Sequence, residues 1–228
     1  MNNFKRGLKA GIPIGLGYLS VSFTFGIMAV STGFSWWQAV VISMTTLTSA
    51  GQFSGIKTML IPGQYAEMLI SQFTINIRYS FMSISLSQKL APQFKSLSRW
   101  LLGFFITDEI FAVASTEKEV TRSYFGGLAV APWFGWTLGT LSGALLGEVL
   151  PEQIMSALSL AIYGMFVAII TPEMKKSRPI VVVVIIAVAL SCAFTYIPGL
   201  KEVSGGLAIS ICAIAAAGIG AALFPVKE

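Results

Sequence analysis

Residues 10–56 read AGIPIGLGYLSVSFTFGIMAVSTGFSWWQAVVISMTTLTSAGQFSGI, 47 positions between Lys9 and Lys57 without one charged side chain. A helix needs about 20 residues to cross roughly 30 Å of hydrocarbon, so this stretch holds two membrane segments. Outward from it, the charge-free windows 123–147, 153–172, 179–200 and 203–226 hold one segment each. Two further apolar stretches carry charge inside them: 68–88 contains only Arg78, and 100–116 contains only Asp108 and Glu109. The expected segments are 10–31, 36–61, 65–88, 98–116, 123–147, 153–171, 179–198 and 203–225. The first follows Lys5, Arg6 and Lys9 as a signal peptide would, but its length and its Pro13 and glycines mark it as an uncleaved span.

Composition agrees with this class and closes off others. Of 228 residues, 55% are hydrophobic and 11% charged, against roughly 25% charged in a soluble domain, and the mean hydropathy is +0.78. So few charges cannot cover the surface of a soluble globule, and so apolar a chain does not stay disordered. Two cysteines exclude a disulfide scaffold or a cysteine metal cluster. The absence of histidine excludes imidazole-ligated metals, Ser-His-Asp triads and imidazole proton shuttles. Gly51-Gln52-Phe53-Ser54-Gly55-Ile56-Lys57-Thr58 approaches a phosphate-binding loop, but Ile56 separates the glycine from the lysine that must follow it. No metal, cofactor or nucleic acid is expected. The expected class is an all-α integral membrane protein of about 6–8 membrane segments, a single transporter domain over 1–228. Its polar, site-bearing half is about 1–116 and its more apolar packing half about 117–228.

Cytoplasmic loops of membrane proteins are enriched in Lys and Arg. That places the N-terminal tail (Lys5, Arg6, Lys9), the loop with Lys89, Lys95 and Arg99, and the loop with Lys175, Lys176 and Arg178 in the cytoplasm. Three segments separate each cluster from the next, and three full crossings would put the middle cluster outside. Each set of three therefore contains one segment that is broken or re-entrant. A duplicated transporter half is one reading of Ser43, Leu47, Gly51 and Phe53 recurring 113 positions later as Ser156, Leu160, Gly164 and Phe166. Chance likeness between two apolar helices is the other.

Polar residues inside the membrane mark the candidate site. Seven of the twelve residues in 43–54 are Ser, Thr or Gln. Hydroxyls can bond back to their own helix, but Gln52 cannot be absorbed that way, and Gly51 loosens the helix beside it. Ser49-Ala50-Gly51-Gln52-Phe53 is expected to be a break lining a cavity. The segment 65–88 carries a wide polar arc around Asn76 and Arg78 and is expected to be central, or unwound near Asn76. A mid-span Arg costs about 2.5–3.5 kcal/mol on insertion scales, so it needs a partner or a task. Asp108 and Glu109 are the candidate partners. Neighbouring helical residues point about 100° apart, so one acid can pair with Arg78 while the other faces a cavity. Both are the candidates for proton coupling. On 123–147, Gly127, Ala131, Gly135, Gly139, Gly143 and Gly147 recur every four residues, a stripe for close helix packing within the chain or against a partner. Cys192 and Cys212 are expected to be small apolar packers.

Gly11-Ile12-Pro13-Ile14, Ser49-Ala50-Gly51-Gln52-Phe53, Asn76-Ile77-Arg78-Tyr79 and Thr107-Asp108-Glu109 together resemble the AzlC family, the large subunits of bacterial branched-chain amino-acid exporters. The resemblance is most specific over residues 10–110. It implies export of neutral amino acids across the bacterial inner membrane by a multi-pass protein, together with a small hydrophobic AzlD-type subunit. Family members often carry histidine directly after the Arg of the third motif; here Tyr79 stands there, so the position has no imidazole to titrate. The candidate substrate-binding residues are Ser49, Gly51, Gln52, Asn76, Arg78 and Tyr79, and the expected function is a proton-coupled secondary exporter rather than an enzyme. The aliphatic side chain would lie against Phe53, Met82 or Phe111. A channel for small polar solutes and a membrane-embedded enzyme are the alternatives; no nucleophile or metal arrangement stands out for the latter.

Overall fold

The computed structural model describes residues 3–94, 96–147, 153, 167, 170–171, 174–203 and 205–225. Every named element among them is helical: α1 (Phe4–Ser31), α2 (Trp36–Thr45), α3 (Ala50–Met59), α4 (Tyr65–Ser87), α5 (Ser96–Gly103), α6 (Asp108–Ser115), α7 (Arg122–Leu146), α8 (Arg178–Tyr196) and α9 (Gly205–Leu223). Two compact units emerge, Met1–Phe53 with Asn76–Ile162, and Ser54–Ile75 with Tyr163–Glu228.

The frame of the first unit is the pair α1 and α7. Gly7 lies against the Tyr124 carbonyl, Gly11 against Leu128 and Gly15 against Ala131; in return Gly139 meets Leu19 and Gly143 meets Phe23. The contacts climb in the same order along both helices, so α1 and α7 run parallel. The expected stripe on α7 thus packs within the chain, against a matching set of small residues on α1. A Cβ at any of these glycines would strike backbone of the other helix. The ends of α1 and α7 that begin at Phe4 and Arg122 are called near below, and the ends at Ser31 and Leu146 far.

The expected segments 36–61 and 98–116 are not single helices. Each is two short helices around a four-residue interruption, 46–49 and 104–107. Both fold back on themselves. In the first, Gln52 donates from Nε2 to Ser43 Oγ at 3.1 Å, and Ser43 bonds Thr140 at 2.7 Å. Phe53 meets the Phe25 ring edge-on at 5.4 Å. Residues 43 and 53 therefore sit at one height, well toward the far end, with the tip 46–49 between them. In the second, Thr107 meets Tyr18, about 21 Å along α1 at 1.5 Å per residue. The arm α6 then runs to Ser115, whose carbonyl accepts from Lys89 Nζ at 2.5 Å. Beyond it Glu117 pairs with Arg6 at 2.6 Å, near the start of α1. The first hairpin enters from the far end, the second from the near end.

The near end is closed by short contacts. Ala91 N donates to Val120 O at 3.0 Å and Val120 N to Lys89 O at 2.7 Å, and Arg6 lies over the Tyr124 ring. Above them Leu86, Phe94, Ile106, Ile110, Phe125 and Leu128 form a buried core.

Several expectations shift. The break is at 46–49, so of Ser49-Ala50-Gly51-Gln52-Phe53 only Ser49 is in it; Ala50–Phe53 begin α3. Its cause is local: Thr46 turns extended and ends α2, the Thr45 and Thr46 hydroxyls bond back to Val41 and Ile42 carbonyls, and Ser49 at φ 46 precedes α3. α4 is continuous through Asn76, because its hydroxyls satisfy themselves on preceding carbonyls, as Thr74 does on Ile70. The second unit includes α8 and α9, joined by a turn through Leu200–Glu202. Gly220 of α9 lies beneath Val183 of α8. α1 and α8 are each long and apolar enough to cross a membrane, by length and composition. Cys212 is buried but Cys192 is exposed, so only the former packs as expected. The segment 153–171 lies largely outside the described residues, as do Ser156, Leu160, Gly164 and Phe166.

Candidate functional site

The two hairpin tips are linked through α4. From the first tip, the Thr48 hydroxyl donates to Asn76 Oδ1. Tyr79 bonds Thr48 as well. Tyr79 in turn accepts from Arg78 Nη2 at 3.3 Å, with the guanidinium carbon 5.0 Å from its ring centroid. Arg78 Nη1 pairs with Asp108 Oδ2, in the first turn after the second tip, at 2.8 Å. A continuous line of polar contacts thus runs from one tip to the other across Asn76, Arg78 and Tyr79.

The second tip is anchored by a residue outside the expected set. Tyr18 of α1 bonds Thr107 Oγ1 at 2.7 Å and also reaches the Glu109 carboxylate. A phenol has one proton; it goes to the carboxylate, and Thr107 donates to the phenol oxygen. Thr107 Oγ1 also caps α6, accepting from Ile110 N at 3.3 Å. Trp136 of α7 fixes the Tyr18 ring, edge-on at 5.3 Å. Tyr18 gave no signal in the sequence, because one tyrosine in an apolar helix has the pattern of a packing residue.

The two acids divide as their 100° separation allows. Asp108 takes Arg78. Glu109 takes Tyr18 and forms no ion pair among the described residues. Arg78 and Asp108 each keep 41% of their side-chain surface exposed, and Arg78 Nε is buried with no hydrogen-bond partner among the described residues. Arg78 therefore has a donor to spare.

Of the expected binding residues, Asn76, Arg78 and Tyr79 belong to this line; of the two expected coupling acids, Asp108 ends it and Glu109 is held apart from it by Tyr18. Ser49 and Gly51 stand beside it at the first tip, where Gly51 N bonds Thr48 O at 3.2 Å. Gln52 is elsewhere. It is 3% exposed and ties α3 to α2 through Ser43, with its Oε1 buried and unpartnered among the described residues. Below the second tip, Leu86, Leu90, Leu102, Ile106 and Phe125 line a cavity of about 130 Å³ with Arg99 on its wall. Phe53, Met82 and Phe111 are not among its lining residues: Phe53 packs on Phe25, while Met82 and Phe111 back the buried core.

A family model described as AzlC protein matches residues 13–150, which contain both hairpins and the whole polar line. An uncharacterized membrane protein of Archaeoglobus fulgidus is 33% identical over 178 residues, 75% of this chain and 76% of that protein. Inner membrane protein YgaZ of Escherichia coli is 26% identical over 199 residues, 82% of this chain and 80% of its own. An uncharacterized membrane protein of Helicobacter pylori is 26% identical over 159 residues, 65% of this chain and 68% of its own. No solved structure matches. With its two opposed hairpins inside the matched region, the chain is an all-α membrane protein and belongs to the AzlC family.

Proposed function

We propose that this protein is a secondary transporter that exports neutral amino acids with branched apolar side chains across the bacterial inner membrane, driven by the proton gradient and assisted by a small AzlD-type subunit. The observation that carries the reading is the Arg78–Asp108 pair at the meeting point of two opposed hairpin tips, with Arg78 Nε unused. An ion pair is a template for a zwitterion. The substrate carboxylate takes the guanidinium, which offers bidentate donors, and the released Asp108 takes the substrate ammonium. Two charges replace two charges, so loading leaves the net charge of the site unchanged. The apolar cavity beside Ile106 suits an aliphatic side chain. Non-helical backbone at membrane depth is tolerated where it lines a cavity, and discontinuous helices meeting near mid-depth are how many transporters build their sites. The name of the Escherichia coli relative supports the inner-membrane location.

The test is counterflow in proteoliposomes loaded with unlabelled valine, leucine or methionine. Labelled substrate should accumulate transiently inside, and charged amino acids should not compete. Ion conductance without counterflow would make the protein a channel and end the exporter reading.

A further inference from the structure

We infer that Glu109, and not Asp108, carries the coupled proton, and that Tyr18 with Thr107 transmits its protonation to the second hairpin tip. The inference rests on the transport reading above and divides labour between two acids that the sequence left equivalent.

The argument begins with charge. Asp108 has a cation in the empty site, Arg78 at 2.8 Å, and under the zwitterion scheme it has one in the loaded site, the substrate ammonium. It never needs a proton. Among the described residues Glu109 forms no ion pair, and the zwitterion scheme gives the substrate ammonium to Asp108. The titratable groups that act on it are Tyr18 from α1 and Asp108 from its own helix, while Arg78 of α4 pairs with Asp108 and bonds Tyr79. The titratable groups of α7 are Arg122 and Tyr124, in its first turn at the near end, where Tyr124 meets Arg6. An uncompensated carboxylate is costly to enclose in a low-dielectric site. Closure around substrate therefore takes a proton onto Glu109, delivered from water on one face and released to water on the other.

The hydrogen bonds show how that proton is felt. With Glu109 ionised, Thr107 donates to Tyr18 and Tyr18 donates to the carboxylate. When the proton sits on Glu109 Oε2, the oxygen that faces Tyr18, that O–H becomes the donor. Tyr18 then accepts from it and turns its own proton toward Thr107 Oγ1. Thr107 changes from donor to acceptor while its oxygen still receives Ile110 N as the cap of α6. No bond breaks beyond the O–H transfer onto Glu109; two hydroxyl rotors reverse. Because Thr107 is the last residue of the tip 104–107, the reversal acts on the element that joins Asp108 to the rest of the hairpin. Tyr18 is a positioning residue here, since it acts through Glu109.

The experiment uses full-length protein in proteoliposomes with two readouts: amino-acid counterflow without a pH gradient, and uphill accumulation driven by one, with an internal pH dye. Wild type should show both. Glu109→Gln should keep counterflow within about twofold and lose gradient-driven accumulation and the dye signal. Asp108→Asn should lower counterflow about tenfold or more. Tyr18→Phe should move the pH profile of transport upward, since a donor to the ionised carboxylate is gone. Glu109→Gln that still accumulates substrate on a pH gradient, or Asp108→Asn that uncouples while exchanging normally, overturns the assignment. Should Glu109→Gln fail to insert, wild type treated with a hydrophobic carbodiimide and digested for mass spectrometry decides, since the reagent modifies protonated carboxyls. Modification at Glu109 supports the inference, and modification at Asp108 or at neither overturns it. Wild type that exchanges amino acids but ignores the gradient overturns the inference while the transport reading stands. Wild type that does not exchange removes both.

Discussion

Arg78 divides its nitrogens among Asp108, Tyr79 and nothing, and that division sets what its removal does. Arg78→Gln should lower counterflow about tenfold, a loss of ~1.4 kcal/mol of binding to the transported species, while the protein still inserts. Asp108→Asn leaves Arg78 without its acid. Since the pair is half-exposed, the effect on stability should be modest, about 1 kcal/mol, read as a lower midpoint of thermal unfolding in detergent. The double variant Arg78→Gln with Asp108→Asn should recover that midpoint without recovering transport. Arg78→Gln with Glu109→Gln should recover nothing, because Glu109 forms no ion pair with Arg78. Gln52 calls for a kinetic separation. Gln52→Leu keeps the Ser43–Thr140 bond and deletes a buried unpartnered oxygen, so stability should change by less than about 1 kcal/mol. If Gln52 clamps the hairpin arms, the variant lowers the maximal rate and leaves KM within about twofold. A raised KM at unchanged rate would return Gln52 to the substrate. Arg78 and its acid were legible in the sequence because a mid-span charge demands an explanation. The choice between Asp108 and Glu109 was not, since it depends on where α1 places Tyr18.

The contact between α1 and α7 was half legible. The four-residue spacing on α7 announced a close neighbour, but Gly7, Gly11 and Gly15 of α1 are the other side of the same contact and lie in a helix whose charge-free length drew the reading toward membrane crossing. Two adjacent glycines test the contact. A Cβ at Gly126 meets nothing within 4 Å, whereas one at Gly127 strikes the Phe4 carbonyl. Gly126→Ala should be neutral or stabilising by up to about 1 kcal/mol, the helix preference of Ala over Gly. Gly127→Ala should lower the unfolding midpoint and the yield of monodisperse protein, and Gly143→Ala, against Phe23, should do the same. Equal behaviour of the two neighbours would mean that the helices are not in this register. The first break was legible in kind and misplaced by a few residues. The Ser/Thr run marked the first, but its bounds depend on Thr46 turning extended and Ser49 entering a left-handed conformation, which composition does not disclose. The second break, at Phe104-Phe105-Ile106-Thr107, is mostly apolar and carried no polar warning.

For the molecule as a whole, the parity of the basic clusters predicts that one segment in each set of three does not cross. In the first unit Arg6, Lys89 and Glu117 gather at one end. Single cysteines on a background lacking Cys192 and Cys212 test the arrangement. Gln93→Cys and Lys118→Cys should resist an impermeant thiol reagent in intact cells and react in inverted vesicles. Ser31→Cys, at the far end of α1, should do the reverse. Reaction of Gln93→Cys from outside would restore simple alternation of crossings. Which helix the small-residue stripe of α7 meets was not legible, because the spacing does not name its partner. That stripe also decides what moves. With backbone against backbone along most of their length, α1 and α7 cannot slide past one another: a shift of one residue would drive Leu128 or Leu19 into a space shaped for hydrogen. Packed surfaces of this kind have discrete fits and no continuous adjustment. Within the first unit the pair therefore acts as a stator, and under the proposed transport function movement in that unit falls to the hairpins.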